Sequence, residues 1–132
     1  MIVDSSALVA IIKREPDWKQ LAEAIDGASD ISTSAASYLE TAIVLDSRRD
    51  PVQSARLDEL LLDLEMKIEP ITAEQAIIAR QAYRDYGKGS GHSANLNFGD
   101  CFSYALARVK REPLLFKGDD FVHTDVRSAL RP

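Results

Sequence analysis

Asp4, Glu40, Asp100 and the doublet Asp119-Asp120 stand far apart along the chain, yet each lies where a short apolar segment or a helix start would deliver it to a common edge. Carboxylates gathered in one pocket repel. Two of them about 5 Å apart do so by roughly 3 kcal/mol at an effective dielectric of about 20. A group of four must keep protons or hold a cation. Oxygen-only donors suit Mg²⁺, which retains several waters, with Mn²⁺ as a possible substitute. Such an ion polarises a phosphodiester, activates a water and stabilises the leaving oxygen.

The elements that would position these acids follow from hydrophobic period. Met1-Ile2-Val3 reads as a buried strand ending at Asp4, with a helix through Leu8, Ile11 and Ile12 directly after it. Pro16 is placed to open a second helix, whose Trp18, Leu21, Ala22 and Ile25 share one face. Asp30–Thr33 is a second short strand and Ala35–Ser47 a helix. Asp50-Pro51 marks a turn into the Leu57, Leu60, Leu61, Leu64 stripe. Ile68–Ile71 is a third strand. Thr72 and Gln75 form a capping box for a helix through Tyr86. Gly87–Asn97 is a polar loop, Phe102 to Val109 a helix, and Pro113–Phe116 a fourth strand ending in Lys117-Gly118-Asp119-Asp120. Short strands alternating with amphipathic helices give an α/β domain with a parallel sheet, and ligands bind beyond the carboxyl ends of such strands.

Each acid also has an ordinary structural role open to it. Asp4 can cap the first helix. Glu40 can close a capping box with Ser37, and Asp100 one with Asn97. Asp119 and Asp120 can be turn residues after Gly118. Lys88 sits in Gly87-Lys88-Gly89-Ser90-Gly91, which lacks the spacing and preceding strand of a phosphate loop. It and Lys117 are flexible surface lysines or contacts for a nucleic-acid backbone. His92 and His123 are read as structural or solvent-facing, and Cys101 as a small core residue.

With 132 residues the chain suits a single domain that buries roughly two-thirds of its unfolded surface. Sixteen basic against 21 acidic residues leave a net charge of −5, which argues against holding nucleic acid by bulk charge alone. One cysteine excludes an internal disulfide and a Cys-based zinc site, and fits a reducing, cytoplasmic setting. The first residues lack the pattern of a signal peptide, and no run approaches the roughly 20 apolar residues of a membrane span. The expectation is a soluble protein with no membrane partner.

Four segments together carry a resemblance: MIVDSSALVAI at Met1–Ile11, SYLETAIVL at Ser37–Leu45, LNFGDCFSYALA at Leu96–Ala107 and PLLFKGDDFVHTD at Pro113–Asp125. In order and spacing the chain resembles the PIN-domain family, nearest its VapC toxin branch, over almost its whole length. The resemblance implies one PIN domain over 1–132, a three-layer α/β/α sandwich around a parallel sheet. It implies a Mg²⁺-dependent endoribonuclease whose acids carry over to Asp4, Glu40, Asp100 and, from the Gly-x-Asp-Phe pattern, Asp120, with Asp119 in the variable slot. Asp4 and Asp100 would be the principal metal ligands. Asp120 would act directly or through water, and Glu40 would complete the shell or orient the attacking water. Ser5 and Ser6 fall where the family often carries a small hydroxyl residue beside the pocket; Ser6, Asp119, Lys88 and Lys117 are accessory candidates. Family toxins cut cellular RNA, often tRNA or rRNA, stop translation, are usually homodimers, and are held inactive by a VapB antitoxin.

Two rival readings remain at this point. A phospho-accepting receiver domain also gathers acids at strand ends, but it needs an acidic pair after the first strand, where Ser5-Ser6 follow Asp4. A non-catalytic binding module would use every acid as a cap or turn residue. A PIN enzyme acting on DNA flaps or rRNA precursors is a third variant of the same chemistry.

Overall fold

The computed structural model describes residues 1–130. β1 (Ile2–Val3) passes through Asp4 into α1 (Ser5–Lys13), and α2 (Trp18–Asp26) returns the chain to β2 (Ser32–Ser34). Then follow α3 (Ala35–Asp46), α4 (Pro51–Asp63), β3 (Lys67–Glu69), α5 (Ala73–Tyr86), α6 (Phe98–Lys110) and β4 (Leu114–Leu115). The sheet order is β3-β2-β1-β4 and every pairing is parallel.

Successive strand residues point to opposite faces, and here that alternation builds three layers. Ile2 and Leu114 pack with Ala79, Ala82 and Leu106 of α5 and α6. Val3 and Leu115 pack with Leu8, Leu21 and Ile25 of α1 and α2. Strands covered on both faces are usually apolar throughout. β2 is not: Ser32, Thr33 and Ser34 are all buried. Two of its hydroxyls have local partners. Thr33 Oγ1 donates to Val3 O at 2.8 Å, and Ser34 Oγ caps α3 by accepting from Ala36 N–H. No helix of the described residues is long and apolar enough to cross a membrane.

Element types match the hydrophobic pattern throughout; several boundaries do not. The third strand is Lys67–Glu69 rather than Ile68–Ile71. Pro70 brings no N–H to continue the ladder, and Ile68 and Ile71 both remain exposed on this edge of the sheet. The second helix opens at Trp18 after Asp17 in left-handed geometry (φ 72°), with Pro16 ahead of it. Thr72 caps α5 by accepting from Gln75 N–H at 3.1 Å, but the Gln75 amide turns to Pro70 O, so only half of that capping box forms. The Ser37–Glu40 box does not form at all. Ser34 is the cap, and Glu40 lies one turn further into α3.

The chain builds β1, β2 and β3 in one direction and then crosses back to lay β4 on the other side of β1. The reversal leaves a crevice beyond the carboxyl ends of β1 and β4, which is where open α/β sheets bind ligands. Asp4 N–H donates to Leu115 O at 2.9 Å, so the two strand ends are locked in register at its mouth.

Beyond β4 the chain turns at Gly118 (φ 97°) and buries Phe121 against Phe116, ring centroids 5.1 Å apart. It then runs back beside β4. Leu114 N–H donates to Arg127 O and Ala129 N–H to Leu114 O, each at 2.8 Å. Asp125 anchors this return to α6, accepting from Tyr104 Oη and Arg108 Nη1, both at 2.5 Å. Tyr104→Phe removes one charge-assisted bond from a buried ring. It is expected to lower unfolding stability by about 1–2 kcal/mol and to speed proteolytic nicking between Phe121 and Leu130. Urea unfolding and limited proteolysis measure the two effects.

Candidate active site

Asp4 follows β1 and is 2% exposed. Its backbone opens α1, and its carboxylate accepts from Ser6 N–H at 3.0 Å and Ser6 Oγ at 2.6 Å, both on Oδ2. On the other oxygen, Oδ1, it accepts from Ser103 Oγ at 2.5 Å. The helix-cap role and a site role therefore coincide in one residue. Ser103 belongs to α6, one turn after Asp100, so a single helix face reaches Asp4 with a hydroxyl and brings a second carboxylate alongside.

Asp100 closes the capping box that its spacing from Asn97 implies: Asn97 N–H donates to Asp100 Oδ2 at 3.0 Å and Asp100 N–H to Asn97 Oδ1 at 2.9 Å. Burial pushes its carboxyl from the ordinary 3.8 up to about 7. The Asn97 N–H bond opposes that shift, and the like charges of Asp4, Asp120 and Glu40 add to it. Geometry brings three of these acids to one region: Ser103, one turn after Asp100, donates to Asp4, and the Glu40 carboxylate lies against Gly99, next to Asp100. Within the terminal doublet it is Asp120 whose charge reaches Asp100. Asp119 is exposed, and its carbonyl accepts from Val122 N–H in the turn.

Glu40 is exposed on α3, and its Oε1 accepts from Ser5 Oγ at 2.5 Å. Gly99 lets it lie there. A Cβ at position 99 would meet Glu40 Oε2 at 2.5 Å and Oε1 at 3.0 Å. Lys117 N–H donates to Ser6 Oγ at 3.0 Å, while its Nζ stands 3.3 Å from Glu15 Oε1. A cleft of about 440 Å³ between Ser5, Ser6, Glu40, Lys117 and Gly118 opens beside these groups. A larger cleft, about 760 Å³, runs between α5, α6 and the returning tail and is lined by none of the four acids.

Lys88 is exposed in the loop before α6, near Asn97 and Phe98 in an apolar groove, and is held only through its backbone: Tyr83 Oη donates to its carbonyl at 3.0 Å. His92 serves the fold, its Nδ1 accepting from Ala94 N–H and its ring edge meeting Tyr86. The Cys101 thiol is buried, donates to Asn97 O at 3.3 Å and is pushed up to about 11 by burial, with Asp100 adding to the shift.

The PIN domain family model matches residues 1–127 of this sequence. The chain belongs to the PIN-domain family. Within the family its similar relatives are VapC proteins. It is 58% identical over 130 residues to Ribonuclease VapC28 of Mycobacterium tuberculosis, covering 98% of each chain. It is 46% identical over 132 residues to Ribonuclease VapC30 of the same species, covering all of both. Among solved structures, M. tuberculosis VapC20, described as a sarcin-ricin loop cleaving toxin, superposes with a TM-score of 0.76 at 19% identity over 99% of this chain and 98% of that one. FitAcB from Neisseria gonorrhoeae does so at 0.71 and 20% identity, over 96% and 94%. At those identities the likeness is one of fold: a PIN sandwich of α/β/α layers.

Three residues of this PIN domain's crevice escape a reading of spacing alone: Ser103, Ser37 and Gly99. Ser103 was available as the residue at i+3 from Asp100, on the same face. Ser37 was visible only as a cap candidate; it is buried instead, 2.9 Å from Ser103 Oγ. Gly99 gives no local signal, because its reason lies on α3.

Two predictions follow from this geometry. The folded state holds the Asp100 proton more tightly than the unfolded chain, so between about pH 4 and pH 7 it binds more protons and stability falls as pH rises. Ionised Asp100 costs the metal-free fold on the order of 4 kcal/mol at most above pH 7, less whatever solvent screens. Asp100→Asn keeps an acceptor for Asn97 N–H and cannot ionise. Its stability advantage over wild type in urea unfolding is expected to grow across that window and to plateau above it. Separately, Gly99→Ala must push the Glu40 carboxylate off Ser5, and a crystal structure of the variant is expected to show a new Glu40 rotamer with α3 and α6 unmoved.

Proposed function

We propose that this chain is a divalent-metal-dependent endoribonuclease, the toxin of a VapB–VapC type pair, formed by one PIN domain over residues 1–132. The reading is supported by Asp4, bonded to Ser103 one turn from Asp100, and Glu40, lying against Gly99, at the end of β1, in a chain 58% identical along its length to a VapC ribonuclease. Asp4 and Asp100 do serve as helix caps, but capping does not require a carboxyl as deeply buried as Asp100 with other acids beside it.

The residues present fit an ion with oxygen ligands. Among the described residues no three acidic, His or Cys side chains close round an ion by themselves. The donors nearest one another are carboxylates, oxygen ligands of the kind Mg²⁺ takes while retaining several waters, with Mn²⁺ as a substitute. Asp4 and Asp100 would hold the ion, and Asp120 would reach it directly or through water. When bound, the ion supplies charge neutralisation and Lewis acidity at a phosphodiester. The chain's own parts do the remainder. Glu40, held by Ser5, orients a water on the open side of the crevice. The Asp100 pair with Asn97 fixes α6 so that its carboxylate does not swing away. Lys117, which lines the cleft beside Ser6 and Glu40, and Lys88, exposed before α6, would meet the RNA backbone.

The substrate is cellular RNA, tRNA or rRNA, in the cytoplasm, and the protein works as a homodimer. A crevice this acidic equally suits an arginine, whose guanidinium forks onto carboxylates. An antitoxin of VapB type that inserts such a side chain would silence the site by replacing the cation.

Asp4→Asn and Asp100→Asn are each expected to lower RNA cleavage by about 100-fold or more, as the loss of several kcal/mol of metal-assisted stabilisation implies, and to abolish growth arrest at matched expression. EDTA should stop cleavage and Mg²⁺ or Mn²⁺ restore it. EDTA-resistant cleavage, or either variant at wild-type rate, rules the mechanism out.

A further inference from the structure

Phe98 opens α6 with 79% of its surface exposed. Grouped apolar side chains left in water mark places where something docks, and Phe98 does not stand alone. Tyr83 of α5 is 48% exposed, and Phe102 meets Phe98 edge-on with ring centroids 4.9 Å apart. Together with buried Ala79 they line a groove of about 550 Å³ between α5 and the start of α6. The edge-on contact leaves most of the Phe98 ring open.

The charge along this groove has one sign. Arg80 and Lys88 line it and no carboxylate does, in a chain of net charge −5. Neither cation has an ion-pair partner among the described residues. Lys88 is nevertheless fixed at its backbone. Its N–H donates to Leu96 O at 2.8 Å, and its carbonyl accepts from Tyr83 Oη at 3.0 Å. Gly87 permits this close approach, since a Cβ there would stand 2.6 Å from the Tyr83 ring. The loop is clamped onto the aromatic wall while its ammonium stays free.

A matching occupant needs flat apolar faces and negative charge along one strand. Unpaired nucleic acid has both, and single-strand sites combine aromatic platforms with cations in this way. An apolar protein helix would satisfy the rings and leave both cations uncompensated. A duplex keeps its base faces inside the stack. The groove is also continuous with the acidic crevice. Asn97 lines it, and the same residue exchanges two hydrogen bonds with Asp100. Two positions apart on a helix, Phe98 and Asp100 face different flanks of one helix end, and a helix is about 10–12 Å across. A few nucleotides of strand cover that distance.

We propose that this groove seats an unpaired nucleotide flanking the cleavage point, its base stacked on Phe98 and its phosphates held by Arg80 and Lys88, so that the protein cuts RNA in single-stranded loops rather than in duplex. The inference rests on the reading of the chain as a ribonuclease and names the form of its substrate.

The test is fluorescence anisotropy on the full chain with a short labelled single-stranded RNA and the corresponding duplex, in EDTA so that nothing is cleaved, over a range of KCl. Phe98 is exposed, so its variants are expected to fold, which circular dichroism checks. Phe98→Ala is expected to bind the strand roughly tenfold more weakly, the loss of one base stack, and Phe98→Trp to bind it at least as well as wild type. Arg80→Gln and Lys88→Gln should each flatten the slope of log affinity against log salt by about 0.7. Lys19→Gln, on α2, should leave that slope alone. Unchanged strand affinity in Phe98→Ala, a wild type that binds duplex as tightly as strand, or a salt slope unmoved by both charge variants overturns the proposal. So does a fall from two copies to one in Phe98→Ala by analytical ultracentrifugation with RNA affinity kept, which gives the groove to a second copy of the chain. If wild type cleaves RNA in Mg²⁺ and stops in EDTA while Phe98→Ala holds the strand normally, the groove alone fails. If wild type neither binds nor cleaves RNA, the ribonuclease reading fails with it.

Discussion

A carboxylate almost wholly withdrawn from water is costly unless it is well hydrogen-bonded, and Asp4 is such a group, 2% exposed at the end of the central strand. Its three donors come from α1 and α6, on opposite layers of the sandwich. Its backbone N–H is bonded to β4 and its carbonyl starts α1. The first helix, the central strand, the crossover strand and the sixth helix thus meet through one residue. Around that fixed point the other acids are arranged at increasing exposure. Asp100 is buried and reluctant to ionise, while Glu40 and Asp120 sit nearer the solvent. The arrangement works against stability in the absence of a counter-charge. That is the usual sign of a site shaped by what it binds rather than by what holds the fold together.

The architecture was largely legible because the strands are short apolar words and the helices carry clean stripes. Ile2-Val3 and Leu114-Leu115 could hardly be anything but buried, and their alternation between two cores follows from the pleat. What resisted reading was polar. β2 is Ser-Thr-Ser, a composition that favours turns, and as a central strand it places its hydroxyls in bonds, Thr33 donating to Val3 O and Ser34 accepting from Ala36 N–H at the start of α3. β3 begins one residue and ends two residues earlier than expected because the decisive residue was Pro70, whose missing N–H outweighs the appeal of Ile71 as a strand former.

The acids themselves were visible by type and by family likeness, but not what supports them. Asp100's capping role was readable from its distance to Asn97, since caps are local. Glu40's supposed cap failed because α3 begins at Ser34, one turn earlier, and that turn frees Ser37 to enter the interior and Glu40 to face Ser5. Contacts such as Gly99 against Glu40, or Ser103 against Asp4, join residues 59 and 99 positions apart. No local period encodes them; only the packing of α6 across β1 and α3 does.

The pairing of β1 with β4 has a temporal side. During synthesis, β1, α1 and β2 are available long before Leu114 and Leu115 exist, so Ile2 and Val3 wait with one edge unpaired. The turn bearing Asp120 and the Lys117 N–H that steadies Ser6 arrive later still. A nascent chain on the ribosome therefore has a half-built crevice, lacking one wall, until the segment carrying β4 and Asp120 has emerged. For a protein proposed to attack the RNA of the translation machinery, that order of assembly withholds the complete crevice until β4 has paired with β1.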